Sequence, residues 1–154
     1  LFFSYGRTFY YAGVLVKRET KLHTRRISFM KLRNLYLLNT VISLGFALGF
    51  LLMGSFLLGL FGMDDTADAR TLAQLTAVEL VVGGVTTLLA RDVTDAKATS
   101  AINTGNFLAG VLGTIIALSA TLSGVMGWFG YVVTAVYLFI AVAFGYFQFV
   151  KKSN

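Results

Sequence analysis

The chain has 154 residues, of which 56% are hydrophobic and 13% are charged, and its mean hydropathy is +0.76. This composition excludes a soluble domain of this size and indicates an integral membrane protein. The net charge of +6 does not require a nucleic-acid partner, because the basic residues lack a folded module that would present them. Cysteine is absent, which excludes disulfides and thiol chemistry.

Residues 1–34 form a predicted N-terminal arm. The first part, LFFSYGRTFYYAGVLV, is apolar, but as a helix it would reach only about 24 Å, which is shorter than the roughly 30 Å hydrocarbon core. We expect it either to lie in the membrane interface or to be the end of a longer span. The basic run that follows is expected to contact lipid headgroups through Lys17, Arg18, Arg25 and Arg26.

Four segments of the remaining chain are long and apolar enough to cross a bilayer as helices. They are residues 35–62, 71–90, 101–123 and 128–150. The connections between them are too short to fold independently. The sequence therefore predicts an all-α integral membrane protein, a four-transmembrane-helix up-down bundle, with a short cytoplasmic tail at 151–154.

Polar residues mark the predicted helix ends. We expect Asp64, Asp65 and Asp68 to cap the second helix, since side-chain oxygens satisfy free amides and negative charge suits a helix N-terminus. Thr94 or Asp95 is the expected cap of the third helix. Glycines 124 and 127 predict a tight turn before the fourth.

The distribution of basic residues predicts the orientation. Twelve of the thirteen Lys and Arg residues fall before the first span, in the second loop or after the fourth span. By the positive-inside rule these parts face the cytoplasm, and the acidic first loop faces outward. We therefore expect a multi-pass protein of the bacterial inner membrane with its basic arm and C-terminus in the cytoplasm.

Glu79 is the only acidic residue inside any predicted span. An ionisable residue near the bilayer centre is costly and suggests either a function or a specific partner. Tyr137 and Thr114 lie at a similar depth, so one interpretation is a protonated Glu79 that is hydrogen-bonded to one of them. A proton- or cation-coupled role and a contact between subunits are the alternatives.

Small residues recur every four positions on the third span and, in a shorter run, on the first. Such a face lets another helix approach closely, either inside the bundle or in an oligomer or partner subunit. The residues of this predicted helix-packing face are Gly105, Ala109, Gly113, Ala117 and Thr121, together with Gly45 and Gly49.

A polar layer is predicted in the cytoplasmic half of the bundle. Its main members are Asn39, Asn103, Asn106 and Gln148, with Thr40, Ser43, Thr86 and Thr87 nearby. We expect these side chains to form hydrogen bonds between helices. A site for a lipid headgroup or a small polar ligand is the alternative.

The sequence gives no sign of an enzyme or a bound cofactor. His23 is the only histidine and lies in the basic run, so the chain offers neither paired haem ligands nor a Cys/His metal cluster. No Ser-His-Asp set and no phosphate-binding glycine loop are present. We expect no catalytic residue, no metal and no cofactor.

Three stretches carry a resemblance to a known type of protein: GFALGFLLM at 45–53, LGLFGMDD at 58–65 and LLARD at 88–92. From residue 30 onward the chain resembles the small uncharacterised four-helix membrane proteins of bacteria, of the domain-of-unknown-function type. Those proteins often carry a proline near the end of the first span, where this chain has Gly54. The resemblance implies a helical bundle and no particular activity.

Two functions follow as expectations. The favoured one is a non-enzymatic accessory or structural subunit of a larger inner-membrane complex, whose partners are membrane lipids and other membrane subunits or a second copy of itself. The alternative is a small proton-coupled transporter that uses Glu79 as its coupling acid. Small multidrug transporters also have four helices and one membrane acid, but the acid here is on the second span.

Overall fold

A computed structural model describes residues 31–151 of the chain. The N-terminal arm up to residue 30, with the predicted headgroup contacts at Lys17, Arg18, Arg25 and Arg26, lies outside the described residues, as do residues 152–154. The described part is helical and has no strand. Its elements are α1 (Leu32–Leu52), α2 (Gly54–Leu60), α3 (Ala67–Ala90), α4 (Ala96–Leu122) and α5 (Phe129–Gly145), with a π-helical turn (Tyr146–Val150) after α5.

Four of these helices are long and apolar enough to cross a membrane: α1, α3, α4 and α5 with its π-helical turn. Large apolar side chains cover much of their outer surface, whereas the buried contact faces are rich in small residues such as Ala47, Ala77 and Ala117. This arrangement suits a protein whose surroundings are lipid. The predicted all-α four-helix membrane bundle is confirmed.

Contacts at the two ends of the bundle establish that the helices alternate in direction. Tyr36, at the start of α1, meets Asn103 near the start of α4 and Phe144 at the end of α5. At the opposite end, the Phe61 ring after α2 packs edge-on against Phe129 at the start of α5. The chain therefore runs up, down, up and down, as the short connections predict.

The first predicted span, 35–62, is interrupted. Met53 leaves the helical conformation, with φ −133° and ψ 38°, and separates α1 from the short α2. A straight helix over the predicted segment would be about 42 Å long, well beyond the roughly 30 Å hydrocarbon core. The interruption corrects the prediction of one continuous span, and it lies next to Gly54.

The helix ends agree only in part with the predicted caps. Thr66, not an aspartate, caps α3 by accepting a hydrogen bond from the Ala69 amide at 3.1 Å. Of the two predicted caps of α4, Thr94 and Asp95, it is Asp95 that caps the helix, accepting from the Ala98 amide at 2.7 Å. After α4, Gly124 takes a φ of +78°, which glycine adopts without strain, and the chain turns toward α5.

The helices pack mainly as two pairs: the first pair is α1 with α3, and the second pair is α4 with α5. In the second pair, Gly110 lies against the Ala141 backbone, Gly113 against the Tyr137 ring, and Thr121 against Gly130. The two pairs meet at their ends through the contacts of Tyr36 and Phe61.

The predicted small-residue face on α4 is corrected by these contacts. Gly113 lies against α5 and Ala117 is buried, but Gly105 and Ala109 are exposed. The reason is geometric: each step of four residues rotates by about 40° beyond a full turn, so the four steps from Gly105 to Thr121 turn the line by about 160° around the helix. The true contact line follows a seven-residue spacing through Asn103, Gly110 and Ala117.

On α1 the two predicted packing glycines also differ from each other. A side chain added at Gly45 would meet nothing within 4 Å, so this residue is not a packing position in the described bundle. Gly49 faces the side chain of Leu57 on α2, with 2.8 Å between an ideal Cβ and the Leu57 Cδ1. Its contact is therefore local, across the break at Met53.

Candidate functional site

A layer of buried polar side chains crosses the bundle at one end and joins the two pairs. The Tyr36 hydroxyl on α1 donates to Asn103 Oδ1 on α4 at 2.9 Å. One turn further along, Asn39 Nδ2 donates to Asn106 Oδ1 at 3.2 Å. Two hydrogen bonds therefore connect α1 to α4, and the Tyr36 ring adds a stacked contact with Phe144.

The same layer joins α1 to α3 inside the first pair. The Thr40 hydroxyl lies 3.0 Å from the Thr87 hydroxyl and 3.2 Å from the Gly84 carbonyl oxygen. Both threonines are buried, and Gly84 allows α1 to come close, since an added Cβ there would meet the Leu44 side chain at 2.8 Å. The sequence places Thr40 and Thr87 in the layer, and the structure pairs them.

Gln148 extends the layer into the second pair. Its Nε2 donates to Ser100 Oγ at 2.9 Å, which ties the π-helical turn to the start of α4. All four main residues of the predicted layer thus form side-chain hydrogen bonds with other elements. Within residues 31–151, every buried side-chain nitrogen and oxygen has a hydrogen-bond partner. The layer therefore acts as a set of contacts between helices.

Sequence reasoning missed two partners in this layer and misplaced a third residue. Tyr36 is not among the predicted members of the layer, although it lies three and four residues before Asn39 and Thr40 and therefore on the same helix face. Ser100 was missed because it lies before the third predicted span. Thr86 is exposed and belongs to another face of α3.

Glu79 does not meet its predicted partners. Thr114 donates its hydroxyl to the Gly110 carbonyl of its own helix at 2.7 Å, and the Tyr137 ring lies against Gly113. The Glu79 side chain is exposed, and it forms neither a hydrogen bond nor an ion pair within residues 31–151. This corrects the interpretation of Glu79 as an acid buried among Tyr137 and Thr114.

The direction of Glu79 follows from helical geometry. The buried side of α3 is formed by Ala73, Ala77, Gly84 and Thr87. At 100° per residue, Glu79 is rotated by about 120° from that side. Depth along a helix predicts which residues lie level with one another, but it carries no information about the direction in which each residue points.

Glu79 shares its direction with four other residues of α3, spaced alternately by four and three positions. We call this set the Glu79 face; it consists of Leu72, Thr76, Glu79, Gly83 and Thr86. Apart from the half-buried Gly83 these residues are exposed, and a side chain added at Gly83 would meet nothing within 4 Å. An acid, two hydroxyls and a glycine thus lie along a surface that no described helix covers.

The opposite end of the bundle from the polar layer carries an exposed ion pair. Arg70 donates from Nε and Nη2 to the two carboxylate oxygens of Asp65. This hydrogen-bonded pairing holds the pKa of Asp65 below its ordinary value, with a smaller contribution from Ser55. Asp65 therefore pairs with Arg70 in the loop before α3 and does not cap the helix.

Comparison of the chain with protein-family models, with curated proteins and with solved structures finds no match. Fold and site together define a helical membrane bundle with a satisfied polar layer at one end and an exposed acid on α3.

Proposed function

We propose that this protein is a non-enzymatic accessory or structural subunit of a larger bacterial inner-membrane complex, and that it binds its neighbours through the Glu79 face. The single observation that supports the proposal is the exposure of Glu79 on a membrane helix. Its direction away from α1 favours the contact between subunits over a role inside the bundle.

The depth of Glu79 makes its exposure costly. It is close to the middle of α3 (Ala67–Ala90), about 17 Å from either end. An acid at the centre of a lipid-facing helix costs roughly 2.5–3.5 kcal/mol on insertion scales. A second protein surface with a suitable polar group would remove much of this cost. The exposed acid therefore favours association with another membrane protein.

We also propose an orientation of the bundle in the membrane, with its basic end in the cytoplasm. In the described part of the chain, Arg33, Arg91 and Lys97 lie at the same end as the polar layer, while Asp65 and Asp68 lie at the other end. The positive-inside rule favours a cytoplasmic location for the basic end. Labelling of intact cells with a membrane-impermeant thiol reagent should modify Thr66→Cys and leave Thr94→Cys unmodified; the reverse pattern would contradict this orientation.

The proposed function is tested by gentle purification from native membranes and mass spectrometry of the co-purifying proteins. The wild type should co-purify with at least one other membrane protein in a fixed ratio, and Glu79→Leu should lose it. Val85→Leu is the matched control, because Val85 is exposed on another side of the same helix. Wild-type protein that purifies without any partner, or a partner retained by Glu79→Leu, would contradict the proposal.

A flux assay separates the transporter alternative from this proposal. Proteoliposomes that contain a pH-sensitive dye should show no proton flux with either the wild type or Glu79→Gln. Proton flux in the wild type that Glu79→Gln abolishes would favour the transporter, since an amide cannot exchange the proton. It would overturn the accessory function.

A further inference from the structure

We infer that the Glu79 face binds one transmembrane helix of a different protein, and that this helix carries a lysine or arginine opposite Glu79 near the middle of the bilayer. The inference rests on the proposed function and specifies the chemistry of the partner. It is carried by the charge of Glu79, its depth and the open surface around it.

The shape of the Glu79 face allows another helix to pack against it. Residues at alternating spacings of four and three form a nearly straight line along α3, which is the geometry of helix-to-helix packing. Gly83 is one turn from Glu79, and the space beside it is open. A partner backbone can therefore approach closely at Gly83, and this brings its side chains within reach of the carboxylate.

Charge determines which kind of helix fits. Within the described membrane helices, basic residues lie only near the ends, at Arg33, Arg70 and Lys97. A second copy of these helices therefore offers no cation at the depth of Glu79. A symmetric dimer through this face would instead bring two Glu79 side chains together, and like charges at close range disfavour each other.

A basic residue near the middle of a partner helix has the same free-energy cost in the hydrocarbon core as Glu79. Each charge alone is costly inside the hydrocarbon, so each gains from the other more than it would in water. The pairing also gives specificity, because a helix that lacks the basic residue leaves the acid uncompensated. We therefore expect the basic residue to decide which helix binds.

The inference can be tested with the full-length protein and synthetic peptides in phosphatidylcholine nanodiscs. The peptides are Leu/Ala transmembrane helices that differ only at the central residue, which is either lysine or leucine. Energy transfer between labelled protein and labelled peptide measures association. The wild type should prefer the lysine peptide by about fivefold to tenfold, as expected for a polar contact between membrane helices. Glu79→Gln should lose most of this preference.

Two matched controls distinguish the effect of the Glu79 face from the effect of the charge alone. The double variant Val78→Glu/Glu79→Val keeps the composition but turns the acid by about 100° around the helix, and it should lose the preference. Gly83→Leu should weaken binding of the lysine peptide, whereas Gly105→Leu should not. Both glycines are open in the isolated bundle, so neither substitution has a clash within it.

Several results would overturn the inference. Equal affinity of the wild type for the two peptides would show that the charge of the partner does not determine binding. An unchanged preference in the double variant would show that the peptide does not bind at the Glu79 face. In native membranes, a photo-cross-linker at Thr86 that joins two copies of the chain, or that reacts with residues 1–16 around Arg7, would identify a different occupant. Cross-linking to a foreign helix that lacks a basic residue would refute this inference and leave the proposed function intact.

Discussion

Helices α1 and α3 meet through hydroxyl groups, whereas α4 and α5 meet where glycines face the neighbouring helix. In the first pair, Thr40 contacts Thr87, and a Cβ added at Gly84 would meet side-chain atoms of Leu44 and Ser43. In the second pair, Gly110 faces the backbone of Ala141. A leucine side chain can move and a backbone cannot, so the second pair should tolerate far less change.

The largest effect is expected for Gly110→Leu. An ideal Cβ at this position would lie 2.6 Å from the Ala141 nitrogen, so the two helices would have to separate. We expect the free energy of unfolding, measured by SDS titration in mixed micelles, to fall by about 3 kcal/mol, the upper end of the usual cost of overpacking. The control Gly105→Leu adds the same side chain on the same helix in open space and should change little. Equal effects of the two substitutions would contradict the packing of α4 on α5.

A smaller effect is expected where the two pairs meet. Tyr36→Phe keeps the ring that stacks on Phe144 but removes the hydroxyl that donates to Asn103. The Asn103 oxygen would then lack its partner, so the free energy of unfolding should fall by about 1–2 kcal/mol. Tyr131→Phe, at an exposed position, is the control. An unaffected stability in Tyr36→Phe would show that this hydrogen bond does not hold the pairs together.

The hydroxyl contact of the first pair should be weaker still. Thr40→Val keeps the shape of the side chain and removes its contacts with Thr87 and Gly84, and we expect a loss of about 0.5–1 kcal/mol. Thr76→Val is the control, because Thr76 is exposed and its hydroxyl donates only to its own helix at Leu72. If Thr40→Val were as damaging as Gly110→Leu, the contrast between the two pairs would disappear.

The smallest effect concerns the loop before α3, at the end of the bundle opposite the polar layer. Pairing with Arg70 lowers the pKa of Asp65, so this pairing favours the folded loop above the ordinary carboxyl range and is lost only as the pH falls below it. A carbon-13 titration of the Asp65 carboxyl in nanodiscs should show a low midpoint. Arg70→Gln should move that midpoint up toward the ordinary value. A midpoint that Arg70→Gln leaves unchanged would contradict the ion pair.

Features that depend on composition or on depth along a helix could be predicted from the sequence. Hydropathy is enough to locate the four membrane helices. The Asn residues near one end are expected to form hydrogen bonds, because a buried amide without a partner is costly. The cap at Asp95 follows from local chemistry. Each of these predictions uses information that is contained in one segment of the chain.

Features that depend on direction around a helix could not be predicted in the same way. The run of small residues through Gly105 and Ala109 has the spacing of a contact face, but helical rotation turns its first half away from α5. The same holds for Glu79. Its depth follows from its position in the sequence, but its direction away from α1 depends on which side of α3 is occupied by α1. The break at Met53 depends on the balance between helix length and membrane thickness.

The central claim is that another protein covers the Glu79 face in the native membrane. It is tested most directly with a lipid that carries a photoreactive diazirine in its acyl chain, followed by mass spectrometry of α3. In nanodiscs that hold the purified protein, the lipid should label Leu72 and Thr76 as well as Val78 and Val85. In native membranes, Leu72 and Thr76 should be protected while Val78 and Val85 remain labelled. Equal labelling of both sides in native membranes would contradict the account.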